Sequence, residues 1–148
     1  MSKHIVIPFE TTLHVRDTCL CLHVQRAARA LARKFDDALR PLDLTNGQFS
    51  LLMSLNRPEP PPMAPVAHLL AMDRTTLTAA LKPLEKRGLV VVLVDHADRR
   101  QRRMKLTPAG HLLLSQALPI WKKTHAEVDA GLGEGVPARL RNDLMALA

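Results

Sequence analysis

The chain has 148 residues, the size of one domain, and its 21 Lys and Arg against 14 Asp and Glu give a net charge of +7. Hydrophobic residues make up 47%, which excludes wholesale disorder; the 3% aromatic content, with no Tyr, argues against a sheet that stacks RNA bases on exposed rings. Two Cys build no disulfide framework, no apolar run approaches the ~20 residues of a membrane span, and the N-terminus lacks a signal core, so the sequence reads as a soluble, cytoplasmic protein whose excess charge calls for a polyanionic partner.

Residues 1–12 show no period and read as a short arm, with Pro8 barring a helix before it. From Leu13 a helical period begins: Leu20, Val24, Ala27, Leu31, Phe35, Ala38 and Leu42 recur every three or four residues. Pro41 marks its end. A helix of ~28 residues, about 40 Å long, is hard to bury in so small a chain, and a partner subunit would cover it. Thr45-Asn46-Gly47-Gln48 fits a capping box and opens a second helix through Phe49, Leu51, Leu52 and Leu55. The run from Arg57 through Glu59 to Pro62 stops it and reads as a stiff, polyproline-like spacer.

Met63 to Ala71 reads as a short third helix. Asp73 caps a fourth, Arg74 to Arg87, which buries Leu77, Leu81 and Leu84 and ends at Gly88. Pro83 within it predicts a kink. Leu89 to Val94 and Arg103 to Thr107 read as two strands joined by the charged turn Asp95 to Arg102. Thr107-Pro108 opens a fifth helix carrying Leu112, Leu113, Leu114, Ala117, Leu118 and Trp121, bent at Pro119. After Gly131, Gly133 and Gly135, Pro137 to Leu147 forms a last short helix.

Helix, short helix, helix, two-stranded hairpin is the order of a winged helix-turn-helix, with the fourth helix as the one that enters the major groove. With its leucines turned inward, Arg74, Thr75, Thr78, Ala79 and Lys82 point outward and Thr76 lies at the edge. Thr offers a hydroxyl and a methyl to base edges, and Arg74 reaches a guanine or a phosphate. On the hairpin, Arg99, Arg100, Arg102, Arg103 and Lys105 put five cations within seven residues. An arginine-bearing tip suits the narrow, negative minor groove of A·T-rich DNA. Residues 74–105 hold nine Lys and Arg against three Asp and Glu, so nearly all of the net charge sits here.

Three stretches carry a resemblance. Leu70-Ala71-Met72-Asp73-Arg74-Thr75-Thr76-Leu77-Thr78, then Leu84-Glu85-Lys86-Arg87-Gly88-Leu89-Val90, then Asp98-Arg99-Arg100 followed by Leu106-Thr107-Pro108-Ala109-Gly110 resemble the MarR family (multiple antibiotic resistance regulators) over residues 13–147. The resemblance implies a mainly α, winged helix-turn-helix, homodimeric transcription regulator, usually a repressor. Its partners would be a pseudopalindromic double-stranded operator and a small aromatic or anionic effector that releases the DNA. It implies a single domain over 1–148, with dimerisation helices at 13–42 and 108–148 and a DNA-binding lobe at 45–107. It also implies that Arg100 is the inserted wing residue and that Asp98 holds the tip by an ion pair. The DNA-binding set is therefore Arg74, Thr75, Thr76, Thr78, Lys82, Asp98, Arg99, Arg100 and Arg102.

Cys19 and Cys21 are redox candidates. On one helix they lie about 200° apart and form no disulfide without unwinding. Cys21 falls near the reactive cysteine of the hydroperoxide-sensing branch, but those relatives supply activating tyrosines that this chain lacks. His23, four residues from Cys19, and His14 have no third ligand, so no metal is expected. No Gly-rich phosphate loop or nucleophile elbow calls for a cofactor. An enzyme using Cys19 or Cys21 with His23 lacks an oxyanion site and an orienting carboxylate. A nucleic-acid-binding adaptor using the same basic wing is the alternative from another class.

Overall fold

The computed structural model describes residues 3–148. They form two compact units, one up to Lys34 and the other Phe35–Ala148. In chain order the elements are α1 (Phe9–Thr18), α2 (Leu20–Leu39), a short 3-10 helix (Arg40–Leu42), α3 (Asn46–Ser54), α4 (Met63–Leu69), α5 (Arg74–Lys86), β1 (Val90–Val94), β2 (Arg102–Leu106), α6 (Pro108–Ala130) and α7 (Val136–Met145). Among the described residues no helix is long and apolar enough to cross a membrane.

The first helix differs from its reading in the sequence. It starts at Phe9, not near Leu13, because Pro8 serves as the residue ahead of the first turn, where its missing N–H costs nothing. It then breaks at Cys19, whose extended backbone (φ −69°, ψ 107°) separates α1 from α2. No Pro or Gly marks that break, and the apolar spacing runs through it, so periodicity alone does not detect it. Cys19 takes the capping position of α2, its Sγ accepting from the Leu22 N–H at 3.4 Å. The two cysteines therefore do not share one helix, and the 200° argument does not apply to them. Pro41 does end the regular helix, inside the 3-10 turn, and Asp43 follows in the left-handed region (φ 54°).

The other elements follow the sequence closely. Thr45 and Gln48 form the reciprocal capping box of α3. Asp36 adds a second anchor, accepting from the Asn46 N–H at 2.7 Å and from Asn46 Nδ2 at 2.8 Å. These bonds hold its carboxyl below the ordinary value of 3.8. Asp73 caps α5, accepting from the Thr76 N–H at 2.7 Å. That helix continues through Pro83 to Lys86. Gly88 (φ 72°) turns the chain into β1. Ala71 sits at φ 52° between α4 and α5, where L-residues pay a steric cost. Thr107 caps α6, accepting from the Gly110 N–H, while its own hydroxyl donates to the Gly88 carbonyl.

β1 and β2 pair antiparallel from Val90 opposite Leu106 to Val94 opposite Arg102. Period-two alternation turns Val90, Met104 and Leu106 inward, and they join Leu39, Leu44, Leu51, Leu52, Val66, Leu77 and Leu84 in one buried core. The proline run reads as a spacer in the sequence, yet it also pairs: Pro62 bridges Arg103, and the Met104 N–H donates to the Pro61 carbonyl at 3.0 Å. α6 packs so close behind the hairpin that a Cβ at Gly110 would lie 2.2 Å from the Leu89 carbonyl oxygen.

Gly110→Ala must push backbone apart, and is expected to lower the unfolding free energy by about 1–3 kcal/mol in urea titration. Because the Asp36 pKa is lowered on folding, its ionised form stabilises the fold at neutral pH, and that contribution fades as pH falls below about 4. Asp36→Ala should therefore melt below wild type at neutral pH, with the gap narrowing on acidification; a gap constant with pH would contradict this.

Candidate nucleic-acid interface

The recognition helix presents the face that leucine spacing predicts. Leu77, Leu81 and Leu84 are buried. Arg74, Thr75, Thr78, Ala79 and Lys82 line one shallow concavity of about 390 Å³. Thr76 stands apart, its N–H committed to the Asp73 cap. The Thr78 hydroxyl donates back to the Arg74 carbonyl at 2.8 Å, so its free features toward a partner are its lone pairs and its methyl. The Thr76 N–H also holds the Asp73 carboxyl below its ordinary value, keeping a fixed negative charge at the N-terminus of the helix.

Arg74 also lines a concavity shared with the wing. Arg74, Arg102, Gln101 and His68 border a single cleft of about 460 Å³ between α4, the start of α5 and the hairpin. The start of α5 and the wing thus border one face, with Arg74 on one side and Arg102 on the other.

The tip is tied by hydrogen bonds. Asp98 accepts from the Arg100 N–H at 3.0 Å and pairs with Arg100 Nε at 3.5 Å, leaving that side chain 93% exposed. Arg102 folds back, donating to the Arg99 carbonyl at 3.0 Å. Arg99 and Arg100 are thus exposed at the turn, with Arg100 paired to Asp98.

Two wing residues behave otherwise than their charge predicts. Asp95 counts in the sequence as one more charge of the turn, but it is buried. Its Oδ1 accepts from the Ala97 N–H at 2.8 Å and its Oδ2 from Arg103 Nε at 2.8 Å. The Ala97 bond first, and Arg103 next, hold its carboxyl below the ordinary carboxylate value. Arg103 belongs to the wing's run of cations, yet its guanidinium faces Asp95 and the Pro60 carbonyl (2.8 Å). The sequence carries a signal for this pair only in hindsight of register: Asp95 closes one strand opposite Gln101, two residues from Arg103. Arg87, which sequence reading passes over, donates to the Asp43 and Leu42 carbonyls and ties the end of α5 to the 3-10 turn.

Cys19 is half-buried and Cys21 exposed, the latter receiving a contact from Gln25 Nε2 at 3.4 Å. Both lie in the first unit, apart in sequence from every residue of the basic face.

Comparison with known proteins accords with this geometry. A MarR-family profile matches residues 44–101, the segment from α3 through the wing tip. Among solved structures, the M. tuberculosis transcriptional regulator MosR in complex with DNA is 40% identical, with a TM-score of 0.79, over 87% of this chain and 92% of that one. CouR, a transcriptional repressor bound to a 23-mer DNA duplex, from Rhodococcus jostii RHA1, is 28% identical with a TM-score of 0.77, over 86% and 91%. A probable transcriptional regulator from Pseudomonas aeruginosa is 27% identical with a TM-score of 0.80, over 89% and 98%. With 40% identity over 87% of its length to one such regulator, and with the profile lying on the helix-turn-helix and wing, this chain belongs to the MarR family of transcriptional regulators.

Proposed function

We propose that the chain is a homodimeric, sequence-specific DNA-binding repressor that reads a pseudopalindromic operator. The observation that carries the reading is the shared cleft of Arg74 and Arg102, which sets the recognition helix and the wing toward one duplex. Arg74, Thr75, Thr78 and Lys82 face the major groove. Thr76 supports the cap at the edge of that face. Arg100, with Arg99 beside it and Asp98 beneath, enters the minor groove. The terminal helices, from residues 13–42 and 108–148, serve as the dimer interface, and exposed Val15, Leu20, Leu31, Leu140, Leu144 and Met145 supply the apolar surface for it. That MosR and CouR were solved on DNA supports the partner. Release by a small aromatic or anionic effector is the family expectation. The hollow of about 220 Å³ that Met53, Asn56, His111, Leu114, Ser115 and Leu118 line between α3 and α6 is one place for a single ring.

A second reading is a thiol-based peroxide sensor of the same fold that uses Cys21, which is exposed, or Cys19, whose sulfur lies 3.4 Å from the Leu22 N–H. In it, a thiolate of Cys19 or Cys21 attacks an organic hydroperoxide, giving a sulfenate and the alcohol, and DNA is released. One equivalent of peroxide followed by mass spectrometry and a DNA-binding assay decides it: no sulfenate and no lost binding removes the idea.

For the main reading, Arg100→Ala is expected to weaken operator binding at least tenfold, about 1.4 kcal/mol, without changing the melting temperature. Binding should fall steeply with salt and give a footprint symmetric about a dyad. Wild-type affinity in the folded variant overturns the assignment of Arg100. Equal affinity for operator, scrambled duplex and RNA favours the adaptor instead.

A further inference from the structure

A two-stranded hairpin is marginal by itself in water. This one also carries five cations in seven residues, which repel one another. Something must hold its base, and the residues that do so come from the proline-rich connector. Pro60, Pro61 and Pro62 have no N–H to give, so they contribute carbonyl acceptors only. Each donor therefore lies on the wing side. The Met104 N–H goes to the Pro61 carbonyl at 3.0 Å, and the Arg103 guanidinium goes to the Pro60 carbonyl at 2.8 Å. The connector is stiff before it pairs, so little conformational freedom is lost when it docks. Asp95 completes the arrangement from the other strand. One oxygen takes Arg103 Nε, and the other takes the Ala97 N–H at 2.8 Å, the first step of the turn that leads to Asp98 and Arg100.

We propose that Arg103 is a positioning residue and not a DNA contact: with Asp95 and the Pro60 carbonyl it braces the base of the wing against the proline connector and so aims the Arg99–Arg102 tip. The chain Pro60–Arg103–Asp95–Ala97 is continuous from the connector to the tip. The guanidinium gives its planar fork to two acceptors within the protein, and Arg103, next to Arg102 in β2, lies on the opposite face of the hairpin from the concavity that Arg74 and Arg102 line. The connector then has a role beyond spacing, as a donor-free third edge of the wing. Its lack of N–H groups also prevents it from recruiting a further strand.

The part of this proposal that concerns aiming rests on the DNA-binding reading, and the experiment separates the two. Full-length wild type, Arg103→Ala, Arg103→Lys, Asp95→Asn and, as a comparator, Arg102→Ala are titrated with operator duplex over a range of salt. Amide exchange is followed in the same proteins without DNA. A phosphate-neutralising cation lost from each protomer lowers the salt slope by about 0.9, hence about 1.8 per dimer. Arg103→Ala should lose at least tenfold in affinity with the slope held within about 0.5 of wild type. Its Met104 and Asp95 amides, which bond the Pro61 and Gln101 carbonyls, should exchange faster, while core amides of α3 and α5 keep their protection. Asp95→Asn should move in the same direction. Arg103→Lys, whose ammonium keeps the charge but not the fork, should fall between. Arg102→Ala should lose slope and leave the Met104 amide unchanged.

A slope loss near 1.8 in Arg103→Ala with unchanged Met104 exchange makes Arg103 a DNA contact and overturns the proposal. Wild-type affinity and wild-type exchange in that variant overturn it as well. Should Arg103→Ala fail to fold, Arg103→Lys carries the same comparison. Should wild type bind no duplex, the DNA-binding reading falls, and with it the aiming; faster Met104 exchange in the variant would still establish the brace, and unchanged exchange would remove it.

Discussion

Like charges crowded onto a hairpin tip repel, and the basic wing of this protein keeps its shape because one buried carboxylate answers them. Asp95 accepts from the backbone of the turn through one oxygen and from Arg103 through the other. The first bond forms the turn; the second ties it to the strand below. Asp98 then repeats the device one step farther out, with a longer, exposed pair to Arg100 that is worth less. Asp95 takes up Arg103 at the base of the wing, while Arg100, paired with Asp98 at 3.5 Å, stays exposed at its tip.

The same economy governs the recognition helix. Its three inward leucines fix its rotation, the Asp73 cap fixes its start, and Arg87 fixes its end against the 3-10 turn. What remains outward is a short row of Arg74, Thr75, Thr78 and Lys82 around the small Ala79. Ala79 leaves the centre of that row without a long polar side chain. The row therefore offers methyl groups, hydroxyls and edge cations rather than a central side chain able to form paired hydrogen bonds.

Much of the fold was legible because its signals are local. The Thr45 capping box, the Asp73 and Thr107 caps, Gly88 and the leucine spacing of α5 each act within four residues, so the sequence around them is sufficient. The break at Cys19 was not legible, since it interrupts the helix without a Pro or Gly and without disturbing the apolar period. The start of α1 was misplaced for a related reason: Pro8 reads as a barrier when it is the residue from which the helix sets out. Within the site, the outward face of α5 and the Asp98–Arg100 pair followed from spacing and resemblance. The burial of Asp95 and its pairing with Arg103 did not, because the pair spans the two strands of the hairpin and Arg103 also bonds a connector carbonyl 43 residues upstream.

The net charge of +7, concentrated in residues 74–105, was fixed by composition and order alone, and so were the helix-turn-helix pattern and the arginine-rich turn. Charge and period are properties of a chain read one neighbourhood at a time. Which arginine is spent on the protein and which is offered to a partner is a different kind of fact. Arg99, Arg100, Arg102 and Arg103 are nearly adjacent and chemically identical, and only their three-dimensional neighbours distinguish them. Arg103 meets a buried carboxylate and a proline carbonyl; Arg100 meets an exposed carboxylate and water. The tertiary structure distinguishes them through the burial of the acceptor each guanidinium meets: Asp95 beside Arg103 is buried, and Asp98 beside Arg100 is not.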